Sequence, residues 1–277
     1  MKPLSDNWEF FRAFTDSYIS VQKVRVASEN RVRSIIQGKD ENEKHRKRMF
    51  ESLALLKKNE KEFVKMAKQV LIEEPVYNEF LAHIRGIGET LAMKILSFPL
   101  DLEKNVSSWW AMAGLVPVVW KCECEKGHKI LLHKDPEKHL ELRCYANINS
   151  EKCDAPIVKS EMAPSKLHAG YRAFWNGKLK QLGYIITDEF IKLGIYYRKA
   201  WEKFRDEGLQ RGMKPIHANR HARRLTYKLF LSHLHECGCE LKGIPYRKPY
   251  AFEFLNHKWF IGYKDVVSIE KTMKEKN

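Results

Sequence analysis

Two long stretches of helical periodicity open the chain, and they constrain its fold more than any other feature. In residues 6–37 and again in residues 41–73, apolar side chains recur three and four positions apart. Arg25 and Ser28 interrupt the first seam, and Glu60 interrupts the second. Spacing of this kind is typical of helices that pair along a seam. Residues 1–75 are therefore predicted to form an antiparallel hairpin or a homodimeric coiled coil, or else an ordinary helix pair packed on the rest of the fold.

The segment "HIRGIGETLAMKIL", residues 83–96, follows the long helices. Gly86 and Gly88 can adopt backbone conformations that other residues resist, and their small size lets a phosphate approach the start of the next helix. Thr90 can add a hydroxyl and Lys94 a positive charge. Residues 76–117 are therefore predicted to contain a helix-hairpin-helix that contacts a phosphate backbone; the alternative is a glycine-containing turn without a ligand.

The charge of the chain limits the classes of partner. The formal net charge is +15 and the pI about 9.4, which favours nucleic acid or an acidic membrane surface. No apolar run is long enough to span a membrane, and the N-terminus lacks the apolar region of a signal peptide. We therefore expect an intracellular, cytoplasmic protein with reduced thiols, associated with the nucleoid if it binds DNA.

Residues 118–158 differ from their surroundings because they combine cysteines, lysines and short β-like runs. Two cysteine pairs across a short hairpin are how a zinc ribbon supplies its ligands, so this segment is predicted to be a β insert with a structural zinc ion. The predicted ligands are Cys122, Cys124, Cys144 and Cys153. One of them could be replaced by a histidine, for which the candidates are His128, His133 and His139. A second Cys-x-Cys pair, Cys237 and Cys239, is interpreted as structural thiols.

The C-terminal part, residues 159–277, is predicted to be helical and to include a basic helix, "HANRHARRLTYKLFLSHL". Arg220, Arg224 and Lys228 recur four residues apart and therefore share one face, and Arg223 lies beside them. This face is predicted to contact nucleic acid, either DNA or structured RNA. The alternative is a solvated charged surface without a ligand.

The order of these motifs resembles a known family. A helical hairpin precedes "RGIGETLAMKIL", and "AMAGLVP" and a helix pair precede the basic helix. This order is similar to the C-terminal transposase domain of the DEDD-type insertion-sequence transposases, the group of insertion sequences 110, 116 and 902. The resemblance covers roughly residues 8–236 and is greatest to stand-alone archaeal relatives with a cysteine-rich insert after the Gly-Leu-x-Pro motif.

The chain departs from that family in both halves of the composite active site. Family transposases begin with a RuvC-like domain that carries four metal-binding acidic residues, whereas residues 6–74 are predicted to be helical, so this domain is expected to be missing. The resemblance also implies a nucleophilic serine shortly after Gly-Leu-x-Pro, where this chain has "VVWKCECEKGHK". The catalytic candidates are then Ser160 and Ser165, which His168 or Arg172 could activate.

The sequence thus predicts a mainly α fold with a helical hairpin, a helix-hairpin-helix core and a small zinc-ribbon insert. The predicted function is nucleic-acid binding by a transposase-derived accessory protein of a mobile element or virus, more a binding protein than an enzyme. One alternative is a catalytic subunit that exchanges DNA strands through a serine nucleophile, with acidic residues supplied in trans. A second is a dimeric structural scaffold.

Overall fold

The computed structural model describes residues 1–37, 43–148, 151–246 and 261–274. It is mainly α-helical with a small antiparallel sheet, which confirms the predicted fold class. Within these ranges, no helix combines the length and the apolar character needed to cross a membrane. The helices are α1 (Trp8–Gln37), α2 (Glu43–Leu71), α3 (Pro75–Glu79), a 3-10 turn (Leu81–His83), α4 (Glu89–Leu96), α5 (Val106–Met112), α6 (Gly177–Leu193), α7 (Tyr196–Gln210), α8 (Pro215–Leu241) and α9 (Tyr263–Lys274).

Helices α1 and α2 form an antiparallel hairpin within the chain, although residues 41–42 of the predicted second helix lie outside the described residues. The apolar seam brings Phe14 and Phe63 together, with their ring centroids 5.3 Å apart. The polar interruptions of the two seams meet each other, because Arg25 forms an ion pair with Glu60 and the Tyr18 hydroxyl donates to the same carboxylate at 3.2 Å. Residues that weaken a coiled-coil pattern thus pair across this hairpin. A homodimer stays a prediction.

Aromatic packing between α6, α7 and α8 forms the centre of the main core. The rings of Phe190 and Tyr197 stack at 4.5 Å, and Phe230 packs edge-on against Phe190. Helices α6 and α8 are in close contact at Gly183, where a side-chain carbon would lie 2.3 Å from the Tyr227 ring. The glycine therefore sets the close spacing of the two helices, and this spacing positions the cleft described below.

Helix α9 is attached to the core by a buried carboxylate. The side chain of Glu270 accepts hydrogen bonds from the backbone N–H of Arg85, at 3.3 Å, and of Tyr196, at 3.0 Å. It therefore links the loop before α4 to the start of α7, where one helical N–H group needs an acceptor. Residues 247–260 and 275–277 of the predicted C-terminal part lie outside the described residues.

The described residues of the insert include five strands. They are β1 (Val118–Cys124), β2 (Lys129–Leu132), β3 (Asn147–Ile148), β4 (Glu151–Lys152) and β5 (Ile157–Pro164). Strands β2, β1 and β5 form one antiparallel sheet in that order, and β3 pairs with β4. Because β5 pairs with β1 along its length, the sheet continues beyond residue 158, where the sequence placed the end of the insert. We therefore use "the insert" for residues 118–164.

Candidate metal centre and basic cleft

Three cysteines and one histidine of the insert gather at one point, which we call the metal cluster: Cys124, His128, Cys144 and Cys153. Their ligand atoms all lie within 4.8 Å of one another. The Nδ1 atom of His128 lies 3.2 Å from the sulphur of Cys153, 3.5 Å from that of Cys124 and 3.8 Å from that of Cys144. Thiolate sulphur and imidazole nitrogen are ligands of transition metals, so this cluster can hold a metal ion.

Backbone hydrogen bonds position these four ligands in two turns. After β1, the chain reverses at Gly127, whose φ is +77°, and the N–H of Cys124 donates to the carbonyl of His128 at 3.1 Å. In the second connection, the backbone N–H of Cys144 donates to the carbonyl of Ala155, and that of Cys153 donates to the carbonyl of Ala146, each at 2.9 Å. The first turn therefore supplies Cys124 and His128, and the second connection supplies the other two ligands.

The thiols of the metal cluster differ in their ionisation. Burial acts to raise the pKa of Cys124, but hydrogen bonds to its sulphur, first from the backbone N–H of His128, outweigh burial and lower the pKa overall. Burial raises the pKa of Cys144 to about 11. Because the thiolate is the form that binds a metal ion, Cys124 is better prepared than Cys144 to bind one.

Cys122 lies outside the metal cluster, and His128 takes the fourth position instead. Cys122 and Cys124 lie two residues apart on β1, but only the sulphur of Cys124 converges with His128, Cys144 and Cys153. Cys122 instead pairs in register with Ile130 and Ser160 and is buried in the small apolar core of the insert, where burial raises its pKa to about 12.

The other two histidine candidates also lie elsewhere. His133 packs against the ring of Phe174, with centroids 5.1 Å apart, and His139 contacts the carboxylate of Glu141 at 3.2 Å. Cys237 and Cys239 are buried in the main core, where burial raises the pKa of both thiols. Their surroundings agree with their interpretation as structural thiols.

The predicted phosphate-binding hairpin has one strained glycine rather than two. Gly86 has a φ of +97°, and a side-chain carbon there would lie 3.1 Å from the backbone oxygen of Glu189 in α6. Gly88 has φ −88° and ψ 175°, which any residue can adopt, and a side-chain carbon there would meet no atom within 4 Å. The expected glycine-specific conformation is therefore confirmed for Gly86 and wrong for Gly88.

The two polar side chains of the hairpin contact the α1–α2 pair. The Lys94 ammonium lies over the ring of Tyr18, 5.5 Å from its centroid, and burial lowers its pKa. Burial raises the pKa of Tyr18, and the Thr90 side chain acts in the opposite direction. In the first turn of α4, the carboxylate of Glu89 lies 3.7 Å from the ammonium of Lys68. Thr90 and Lys94 thus pack against the long hairpin, and the first turn carries a negative charge.

Helices α6 and α8, together with the two ends of the insert, enclose a cleft of about 340 Å³, which we call the basic cleft. Its walls include Gly114, Leu115 and Val116 immediately before the insert, Ser165 immediately after it, and Tyr184 of α6. Among the described residues that line it, none is acidic. The basic and histidine side chains that line it are Lys180, His217, Arg220, His221, Arg223 and Arg224.

Three of the four basic residues predicted on α8 line this cleft, in different electrostatic situations. Arg223 forms an ion pair with Asp188 at 2.5 Å, whereas Arg220 is exposed. Arg224 donates from Nη2 to Nδ1 of His221 at 3.0 Å, and its buried Nε has no hydrogen-bond partner among the described residues. Because Nδ1 accepts, His221 is neutral; burial and then the charge of Arg224 lower its pKa.

Lys228, the fourth predicted residue of the basic face, lies away from the cleft. Its ammonium packs over the Trp110 ring, 4.8 Å from the centroid, and burial lowers its pKa to about 8. Lys180 of α6 also lines the basic cleft, and it was not predicted from the sequence as a binding residue. It lies one helical turn before Tyr184. Its ammonium lies 4.5 Å from the centroid of the Trp175 ring, and burial lowers its pKa.

The two serine candidates occupy different places. Ser160 lies in the middle of β5, opposite Cys122. Ser165 follows β5 and lines the basic cleft, where its Oγ is buried and has no hydrogen-bond partner among the described residues. Of the two activating residues suggested by sequence, His168 contacts the carbonyl of Pro164 at 3.1 Å, and Arg172 donates to the carbonyl of Asn147 at 2.8 Å. The structure thus brings Ser165, but not Ser160, to the basic cleft.

Comparisons of the chain with known proteins assign no function to the metal cluster or the basic cleft. A scan against models of protein families found no match, and a search of curated proteins found none either.

Proposed function

We propose that the protein binds DNA or structured RNA through the phosphate backbone, with the basic cleft as its main contact. The observation that carries this proposal is the convergence of Lys180, Arg220 and Arg224 on one cleft without an acidic lining residue among those described. Asp188 neutralises only Arg223. Guanidinium groups at such a site favour phosphate oxygens because they can donate two parallel hydrogen bonds.

The origin that we propose, a transposase-derived accessory protein of a mobile element or virus, rests on the sequence resemblance. Its support from geometry is that two of the motifs in the resemblance converge. Gly114, Leu115 and Val116 of the Gly-Leu-x-Pro motif line the same cleft as Arg220 and Arg224 of the basic helix, although the two motifs are far apart in the sequence. Motifs that converge on one cleft suit a shared role in binding.

The hairpin at residues 83–96 is a second, weaker contact in this proposal. Open space around Gly88 lets a phosphate approach the start of α4, where backbone N–H groups carry partial positive charge. Glu89 opposes an anion there, and Lys94 is directed to Tyr18. We therefore assign most of the binding free energy to the cleft.

The metal ion of the cluster is, in our proposal, structural zinc. Tetrahedral zinc with Zn–S near 2.3 Å and Zn–N near 2.0 Å requires sulphur pairs about 3.8 Å apart and sulphur–nitrogen pairs about 3.5 Å apart. In the metal cluster, Cys124 and Cys153 have sulphurs 4.0 Å apart, and the three sulphur–nitrogen distances run from 3.2 to 3.8 Å. Three thiolates and one imidazole fill all four positions, so such an ion has no open site for catalysis.

A binding titration tests the nucleic-acid proposal. Duplex DNA, single strands and structured RNA are each titrated with the protein across a range of salt concentrations. We expect log K to fall linearly with log salt, because each neutralised phosphate releases counterions. Absence of binding to all three at low salt would overturn the proposal and favour a scaffold role. For zinc, metal analysis of protein purified without added zinc should find about one ion per chain.

A second candidate function is strand exchange through a serine nucleophile, and the position of Ser165 favours it. Its Oγ would form a bond to phosphorus while the bond from phosphorus to a bridging oxygen breaks; a base accepts the hydroxyl proton, and the leaving oxygen gains one. The test is incubation with end-labelled nicked DNA, followed by denaturing electrophoresis. A covalent adduct in the parent protein that is lost in Ser165→Ala would support this candidate. An adduct that forms equally in both proteins would exclude Ser165 as the nucleophile, and no adduct in either would show that this chain does not act alone.

A further inference from the structure

We infer that the basic cleft accepts one nucleotide residue of a nucleic acid, with its phosphate against Arg220 and Arg224 and its base against Tyr184. This inference rests on the proposed function and narrows it. It predicts preference for nucleic acids that present an unpaired, terminal or extruded nucleotide over intact duplex.

The first argument is the size of the cleft. A volume of about 340 Å³ lies at the lower end of the range, roughly 300–1,000 Å³, of pockets that hold small molecules. A duplex can contact only the rim of such a space, where Arg220 is exposed, and cannot enter it. A single nucleotide that has left the base stack can enter it, as in enzymes that extrude a base into a pocket.

The second argument is that two polar groups of residues that line the cleft have no hydrogen-bond partner among the described residues. The Nε of Arg224 and the Oγ of Ser165 are both buried and lack hydrogen-bond partners among the described residues. Buried donors of this kind are costly unless something satisfies them. A phosphate accepts from both kinds of donor, and Arg220 and Lys180 add positive charge beside it.

The third argument is the mixed character of the remaining walls. Tyr184 lies one helical turn from Lys180 on α6, and the residue is 55% exposed. An exposed aromatic ring next to a basic site provides a stacking surface for a base. Leu115 and Val116 add apolar side chains to the lining of the cleft. Phosphate alone would not use these walls, whereas a base and sugar would.

The experiment compares three small probes by calorimetry: adenosine monophosphate, adenosine and inorganic phosphate. We expect the mononucleotide to bind at least ten-fold more tightly than either part. Arg220→Gln should weaken mononucleotide and phosphate binding alike, whereas Tyr184→Ala should weaken only the mononucleotide. Arg31→Gln removes the same charge from the exposed surface of α1 and serves as the matched control, with unchanged binding.

A second measurement separates this inference from the proposed function. Arg224→Gln can perturb folding because the side chain is partly buried, so the exposed Arg220 and Tyr184 carry the test. In parallel, intact duplex is compared with the same duplex carrying one unpaired nucleotide, which should bind more tightly. If a mononucleotide binds no better than phosphate, and both duplexes bind equally with a salt-dependent affinity, the inference is overturned while the proposed function stands. If no polynucleotide binds, the proposed function itself is overturned.

Discussion

The insert and the helical body of this protein are stabilised in different ways. In the body, helices α1–α9 bury large side chains such as Trp109, Phe190 and Phe230, and packing alone forms a continuous core. In the insert, the buried residues around the metal cluster are few and mostly small, including Ala146 and Ala155. Small cores of this kind are commonly completed by a metal ion or disulfides. The comparison teaches that apolar packing accounts for the body, whereas the insert is expected to depend on the metal ion that we propose for its cluster.

Metal removal is the largest expected effect and acts on the insert. Structural zinc contributes roughly 10–16 kcal/mol of apparent binding free energy in small domains, so chelation should unfold residues 118–164. Hydrogen exchange should show lost protection there and retained protection in α6–α8. Because Val116 and Ser165 at the two ends of the insert line the basic cleft, nucleic-acid binding should also weaken.

Two matched variants make the same comparison without a chelator. His128→Ala should reduce metal content to near zero, whereas Cys122→Ala should retain the ion and lose only the stability of a small cavity, roughly 1 kcal/mol. If Cys122→Ala loses the metal and His128→Ala keeps it, the ligand set of the cluster is wrong.

Acid is expected to destabilise the helical body through a buried histidine. His233 donates from Nε2 to the carbonyl of Ile261 and accepts at Nδ1 from the Tyr197 hydroxyl, so it is neutral when folded. Burial lowers its pKa to about 3, below the usual 6.5. As pH falls, the unfolded chain therefore binds this proton before the folded protein does. The contribution of neutral His233 to the free energy of unfolding is complete above pH 6.5, and it is lost at about 1.4 kcal/mol per pH unit as pH falls towards 3.

Urea unfolding, followed by tryptophan fluorescence at several pH values, measures this slope. His233→Gln removes the titration and should flatten the dependence on pH, whereas His45→Gln, at an exposed position of α2, should leave it unchanged. Equal slopes for the parent and both variants would show that His233 has no special role in acid sensitivity.

The helices and the ligand chemistry could be predicted from the sequence, whereas the site geometry could not. The three-four spacing of residues 6–37 predicts a helix because its period is local to the chain. The choice between Cys122 and His128 depends on how the turn at Gly127 returns the chain to Cys124, which no spacing reveals. The cleft joins Ser165, Lys180 and Arg220, and only the packing of α6 on α8 brings them together.

The hairpin offers a smaller test of where binding occurs. Lys94→Ala removes a charge that lies over Tyr18 rather than in the cleft, so the affinity for duplex should change by less than about two-fold. Arg220→Ala removes a charge from the cleft and should weaken duplex binding roughly ten-fold, or about 1.4 kcal/mol. A filter-binding assay at fixed salt compares the two variants. If Lys94→Ala loses more duplex affinity than Arg220→Ala, the main nucleic-acid contact is the hairpin and not the cleft.

The smallest expected difference concerns the two hairpin glycines. Gly86→Ala places a side chain at positive φ and against Glu189, which should cost about 1–2 kcal/mol of stability. Gly88→Ala loses a favourable helix-start residue in an unstrained conformation and should cost about 0.5 kcal/mol. Thermal unfolding ranks the two variants. Equal costs would show that the turn relaxes around residue 86.

The measurement that tests the central claim most directly is the salt dependence of duplex binding for the parent, Arg220→Gln and the control Arg31→Gln. If the basic cleft grips a phosphate backbone, log K falls steeply with log salt in the parent, and Arg220→Gln lowers the slope by about one. Arg31→Gln, which changes the net charge equally but lies on α1, keeps the slope of the parent. Identical slopes for both variants, or binding that does not depend on salt, would contradict the assignment of phosphate binding to this cleft.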